Sequence, residues 1–251
     1  MREKETKREI EEMCPAQRCE TAKTVLAGLN PRLIEAIGLN QANEIILFSD
    51  TLSKQIPESY AANAFNLFQD SLFRIEVITL CSLWDRADLD KHSIPLLRKL
   101  LDNEAVQDLL LQKHTAAEQE KPIGNNFDDH DVKFIRQSRK EQAHNDFKQS
   151  RTAFFNSDEK AESSVRQLRN LRHAYVHNFE DWRSATNEKS NADTQPKNKD
   201  VSSLLTQTKE VMRAANAVIE NEDVAFDAFG SVWEDYTTKL WSNCTFNISN
   251  E

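Results

Sequence analysis

Ser163-Ser164-Val165-Arg166-Gln167-Leu168-Arg169-Asn170-Leu171-Arg172-His173-Ala174-Tyr175-Val176-His177-Asn178 is the stretch around which the chain is organised. Val165, Leu168, Leu171 and Tyr175 recur at helical spacing, so one face of a helix can anchor in a core. Arg169, His173 and His177 repeat every four residues and share another face. Residues 166–178 hold three arginines, two histidines and two asparagines. Nowhere else do so many groups able to act on a phosphate crowd into so short a segment.

The flanking sequence reads as helices. Four glycines and six prolines in 251 residues, with few β-branched runs, favour an all-α protein. Residues 1–30 alternate Lys/Arg with Glu and read as a polar, loosely attached helix broken at Pro15. A helix is predicted from Asn30-Pro31, with Asn30 as N-cap and Pro31 at the first position. Its apolar stripe is Ile34, Ile37, Ile45, Phe48, Leu52 and Ile56, and Pro57 bounds it. Residues 58–87 form the most apolar helix, apolar nearly all round, and are expected at the centre of a bundle. After the polar turn Asp85–Asp90, Ser93 caps a short helix with Leu96, Leu97 and Leu100 inward. Asn103 starts another, with Val106, Leu109 and Leu110 inward.

Residues 118–130 read as a loop, and Asp131–Phe155 as a long polar helix. The turn Asn156-Ser157-Asp158 leads into the opening stretch. Residues 182–200 contain nineteen positions without Val, Ile, Leu or Phe, and read as a long exposed loop. Val201, Leu204, Leu205, Val211, Met212, Ala215, Val218 and Ile219 mark an amphipathic helix. An aromatic stripe follows at Phe226, Phe229, Trp233, Tyr236, Leu240 and Trp241, read as core or a partner-helix seam. The expected organisation is a polar N-terminal extension (1–30), a helical bundle (31–222) and a C-terminal aromatic helix (223–251) packing on the bundle or on a dimer partner.

The net charge is −9, which argues against general coating of nucleic acid. It is unevenly spread: residues 133–177 carry ten Lys/Arg against five Asp/Glu, a local +5 that leaves −14 elsewhere. A basic segment in an acidic chain suits a confined site for an anion, although solvated helix faces give the same count. The four cysteines (14, 19, 81, 244) show no paired spacing and read as free thiols of a reducing compartment. Residues 1–13 are mostly charged and cannot form the apolar core of a signal peptide. No apolar run approaches the roughly 18 residues of a membrane span, so a soluble, cytoplasmic protein without membrane contact is expected.

Arginine brings a permanent charge and a planar fork that fits phosphate oxygens. Histidine moves protons near neutral pH. Together they can cleave RNA without a metal or other cofactor: a base activates the ribose 2′-hydroxyl, and arginine stabilises the charge that builds on phosphorus. DNA lacks that hydroxyl and should be inert. Arg172 and His177 lie five positions apart, about 140° around an ideal helix. They converge only if the helix ends or bends near Val176, or if a second copy supplies the partner groups. A structural alternative is that these side chains cap carbonyls at a helix end. The His173/His177 pair has helical metal-ligand spacing but no acidic third ligand nearby. Asp128-Asp129-His130-Asp131 reads as a loop entering a helix N-terminus rather than as a cation site.

At Arg172–His177 the sequence resembles the HEPN superfamily, whose signature is an arginine, often followed by a polar residue, with a histidine four to six residues on. Leu80-Cys81-Ser82-Leu83-Trp84-Asp85-Arg86, then Ser93-Ile94-Pro95-Leu96-Leu97-Arg98-Lys99-Leu100, looks like the AbiU-type branch, as does Leu168-Arg169-Asn170-Leu171-Arg172. The resemblance extends over about residues 31–222, by topology more than by identity. It implies an α-helical bundle that pairs as a homodimer, with both motifs facing a shared cleft. It also implies metal-independent RNA cleavage in phage defence by abortive infection, or as a toxin with an antitoxin or defence-system partner. Arg172 and His177 carry over as the catalytic pair, and His173 as the polar residue after the arginine. Arg169, Asn170 and Asn178 join them as supporting residues by proximity. In HEPN toxins neutralised by a nucleotidyltransferase antitoxin, a tyrosine stands two residues after the histidine. Phe179 holds that position here and has no hydroxyl to modify. The alternative is a non-catalytic HEPN-like binding module, working through the aromatic tail and the 182–200 loop.

Overall fold

The computed structural model describes residues 2–48, 50–56, 60–124, 127–156, 165 and 198–245. Among them the chain is all-α, with no strand. In chain order the helices are α1 (Arg2–Glu12), α2 (Pro15–Phe48), α3 (Asp50–Gln55), α4 (Tyr60–Leu83), α5 (Ile94–Leu101), α6 (Glu104–Glu120), α7 (Asp129–Asn156), α8 (Asn198–Glu220) and α9 (Phe226–Asn243). They divide between two compact units. One comprises Met1–Asn30, Trp84–Glu159 and Glu210–Val224; the other comprises Pro31–Leu83, Lys160–Lys209 and Ala225–Glu251.

In the first unit, α6 packs along α7, and α1 touches α5. Ser93 caps α5: its Oγ accepts the Leu96 N–H at 3.3 Å, and Leu96, Leu97 and Leu100 are buried, as their spacing predicts. Asn103 caps α6 in the same way, accepting the Val106 N–H at 3.1 Å. Val106 and Leu110 are buried behind it, while Leu109 is half-buried. Arg98 binds α5 to its surroundings. Its guanidinium lies over the Trp84 ring at 5.6 Å and the Phe154 ring at 5.5 Å, and Nη2 donates to the Phe154 carbonyl at 3.0 Å.

The N-terminal residues are not a loosely attached arm. Ile10, Cys19, Ala22, Val25, Leu26 and Leu29 are buried, so the alternating charges are only the wet side of two packed helices. Nor does a helix start at Asn30. α2 runs unbroken through Pro31. The missing N–H leaves the Ala27 carbonyl without its helical donor, but Ala27 and Pro31 are both exposed, so water can satisfy it. Asn30, freed from capping, exchanges amide hydrogen bonds with Asn216 at 2.9 and 3.1 Å.

In the second unit, α2 contributes Leu33, Ala36, Ile37 and Ile46 to the core, α3 contributes Leu52, and α4 contributes Val77, Leu80, Cys81 and Leu83. α4 is not wrapped on all sides as its composition suggests. Leu67, Phe68, Ile75 and Ile78 are 42–59% exposed, on the side of the helix away from that core. A run of apolar residues predicts a preference for burial, not the presence of something to be buried against. α8 follows its predicted stripe: all eight apolar positions read from the sequence are buried. Of the aromatic stripe on α9, Phe226 is fully buried, but Phe229, Trp233, Tyr236 and Leu240 remain 38–59% exposed, so most of the stripe is not core.

Trp233 docks α9 through a notch at Gly38. A Cβ there would stand 2.8 Å from Trp233 Cε2, closer than packed atoms allow. Gly38→Val should therefore cost about 1–3 kcal/mol of unfolding free energy in urea titrations. Gly124→Ala, whose new methyl would meet only Phe127 at 3.9 Å, should leave the midpoint unchanged.

Candidate functional site

Arg169, Asn170, Arg172, His173, His177 and Asn178 lie outside the described residues, as does the predicted loop up to residue 197. Val165 is the described member of the opening stretch. It is helical and buried, as the anchoring role predicted for it requires. On the other side of the motif, α8 begins at Asn198.

Within its first turns α8 is fixed by a polar cluster that sequence reasoning missed. Glu76 of α4 is 1% exposed. Asn40 Nδ2 donates to one of its carboxylate oxygens at 2.9 Å, and Asn43 Nδ2 donates to the other. Asn40 and Asn43 come from α2, one turn apart, so both amides reach the same carboxylate. Asn40 Nδ2 also reaches Ser202 Oγ of α8 at 3.4 Å, and that hydroxyl lies 3.4 Å from Glu44 Oε1. Glu76 thus ties α4 to α2, and Asn40 and Glu44 tie α2 to α8 through Ser202, four residues into α8. The signal was present in the sequence: Glu76 is an acid inside the apolar run Phe73–Leu83. A charge in such a place needs buried donors.

Burial pushes the Glu76 carboxyl above the usual carboxylate range. The two asparagine amides pull it down, and the neighbouring Glu44 adds to the rise.

The first unit holds a second buried ionisable group. His114 of α6 is 5% exposed and meets the Phe147 ring edge-on at 5.2 Å. Burial drives its pKa down, against the opposing pull of Glu118 and Glu220. Its Nε2 is buried without a hydrogen-bond partner. That suits a neutral core imidazole better than a proton carrier.

The acidic stretch at the start of α7 behaves as its spacing predicts. Asp128 Oδ1 accepts the Asp131 N–H at 2.8 Å, which is the geometry of a helix N-cap. Asp128, His130 and Asp131 are all exposed, with ligand atoms within 4.8 Å of one another. Six of the ten basic residues counted between 133 and 177 lie on α7. Arg139 is committed to the carbonyls of Lys121 (2.7 Å) and Pro122 (3.4 Å). The other five are exposed. All four cysteines are free thiols, Cys19 and Cys81 in the core. No helix among the described residues is long and apolar enough to cross a membrane.

The Glu76 cluster has a pH signature. An unfolded glutamate ionises near about 4.3, whereas the folded one holds its proton to higher pH. Its stabilising contribution is complete below the unfolded value and is lost as pH rises through the folded one. Glu76→Gln should flatten the dependence of Tm on pH in that window. Glu76→Ala leaves two buried amides without acceptors and should cost about 1–3 kcal/mol per lost partner at every pH. Thermal melts from pH 4 to 8 read both outcomes.

No curated protein and no solved structure matches the chain. The HEPN family model described as AbiU2 matches residues 33–239, from the second half of α2 into the last turns of α9. That span takes in the Asn40–Glu76–Ser202 cluster and the whole Arg169–Asn178 segment. The chain belongs to this AbiU2 family of HEPN domains, a family of the abortive-infection, defence-related kind.

Proposed function

We propose that the protein is a metal-independent endoribonuclease that acts in phage defence, as an abortive-infection effector or a toxin, through a composite site formed when two copies pair. The observation that carries this reading is an Arg-x4-His pair, Arg172 and His177, inside the span that matches the HEPN family.

The chemistry follows from these two side chains. Neutral His177 takes the proton of a ribose 2′-hydroxyl. The oxygen attacks the adjacent phosphorus, a 2′,3′-cyclic phosphate forms and the bond to the 5′-oxygen breaks. The leaving oxygen acquires a proton and departs as a hydroxyl. Arg172 stabilises the charge on the phosphoryl oxygens as it builds. His173, Arg169, Asn170 and Asn178 supply further donors for the backbone of the strand. The nucleophile belongs to the substrate, so the step draws on no metal or cofactor. Arg172 and His177 diverge on an ideal helix, and in this reading the pairing of two copies brings an arginine and a histidine to one phosphate. Defence-system proteins that release or restrain this activity would complete the partner set.

Purified protein should cut single-stranded RNA in EDTA, leave 2′,3′-cyclic phosphate ends and spare DNA of the same sequence. His177→Ala and Arg172→Ala should each lower the rate by about 100-fold or more, with unchanged thermal melts. Cleavage that survives Arg172→Ala, or that stops in EDTA, would overturn the reading. A second reading, a non-catalytic interaction module, draws on the exposed apolar stripes of α4 and α9. Tight RNA or partner binding with no cleavage under any condition would favour it.

A further inference from the structure

α7 carries its free positive charge on one side. On an ideal helix Lys133, Lys140, Lys148 and Arg151 lie within about 40° of His144, with Arg136 about 80° to one side and Phe134 about 80° to the other. The row from Lys133 to Arg151 is about 27 Å long. These four cations and Arg136 are exposed, and their side chains have no ion pair or hydrogen bond among the described residues.

The acids of the same helix leave the row unneutralised. Between Lys133 and Arg151 there are six Lys/Arg and two Asp/Glu. Glutamine amides occupy both acids: Gln137 Nε2 donates to Glu141 at 2.7 Å, and Gln142 Nε2 to Asp146 at 2.7 Å. No Lys or Arg stands three or four residues from either acid, so the helical ion-pair spacing is avoided. Elsewhere that spacing is used: Lys7 meets Glu11 at 3.7 Å and Lys239 meets Asp235 at 2.6 Å.

We infer that this row on α7 holds the phosphate backbone of a single-stranded nucleic acid, the RNA that is cut. Cations repeated along a line neutralise phosphates whatever the bases are. The chain as a whole is at −9, so a polyanion is attracted to this side and repelled by most of the rest. Phe134, 70% exposed at one end of the row, offers a ring on which a base can stack. A membrane surface fits less well. Ala143, Phe147 and Phe154 are buried, and Phe134 is the one large apolar side chain that α7 exposes, whereas a helix lying on lipid keeps an apolar face free. That the strand is RNA rests on the nuclease reading; that it is a nucleic-acid backbone rests on the row itself.

The test measures binding of a 2′-O-methyl RNA oligonucleotide, which has no free 2′-hydroxyl and is not cut, to the intact chain at several salt concentrations. Each phosphate contact contributes a slope of about −0.7 to log K against log salt. Lys133→Gln/Lys140→Gln/Arg151→Gln should flatten the slope by roughly 2 and weaken binding at about 0.1 M salt roughly 100-fold, with the melting temperature retained. Phe134→Ala should weaken binding roughly five-fold at unchanged slope. Lys7→Gln/Arg8→Gln/Lys239→Gln removes as many charges from positions already paired with acids and should bind like wild type. On cleavable RNA the α7 triple variant should raise KM and keep kcat. Wild type that does not bind at about 0.05 M salt, or an α7 triple variant that binds like wild type or no worse than the other triple variant, overturns the row. Poly-glutamate of equal charge that competes as well as the oligonucleotide overturns nucleic acid as its ligand. Row-dependent binding by a wild type that cuts no RNA keeps the row and sinks the nuclease reading. Cleavage that depends on Arg172 and His177 but not on the row does the reverse.

Discussion

The Glu76 carboxylate is the constraint on which the second unit depends. It arrives on the most apolar helix of the chain and would be costly to desolvate alone. Two asparagines from one turn of α2 meet it, and Ser202 joins them from α8. The hydrogen bonds add modest net stability, but leaving any partner unmet is expensive. The cluster therefore fixes register more than it adds free energy: a slide of α2 against α4 by one residue would strand the buried amides and the carboxylate. α8 is the first described helix after the Arg172–His177 segment in the sequence, and it is held within its first turns by Ser202.

The first unit solves a related problem with a cation. Arg98 is held between two aromatic faces and a carbonyl, so its charge is never far from electron-rich partners. The two units thus use different means of placing polar groups in apolar surroundings: amides around an acid in one, rings around a guanidinium in the other. Around both, ordinary stripes of Leu, Ile and Val carry the bulk of the packing.

Much of this was legible in the residues. Ser93 and Asn103 sit before apolar runs at capping distance, and both cap. The eight apolar positions of α8 follow a helical period, and all are buried. The AbiU-type resemblance, drawn from Arg172–His177 and the Leu80–Arg86 run, agrees with the family match over 33–239. The misreadings have a common physical origin. Pro31 reads as a helix start because proline favours that position, but an exposed carbonyl makes an interior proline tolerable. α4 reads as central from its apolar content, but that content says that a side chain leaves water, not which neighbour it leaves for. The alternating charges of residues 1–30 masked an inner stripe of Ile10, Cys19, Ala22 and Leu26. For the candidate site the motif was legible as residue types and spacing. The Glu76 cluster was not, because Asn40 and Asn43 acquire meaning only once the chain brings them to Glu76, and Ser202 only once it reaches Asn40.

The interleaving of the two units along the chain has a bearing on synthesis. One unit is complete only once its last strip, Glu210–Val224, has been made, and the other only once Ala225–Glu251 has. No nascent fragment ending before α8 contains all the parts of either core.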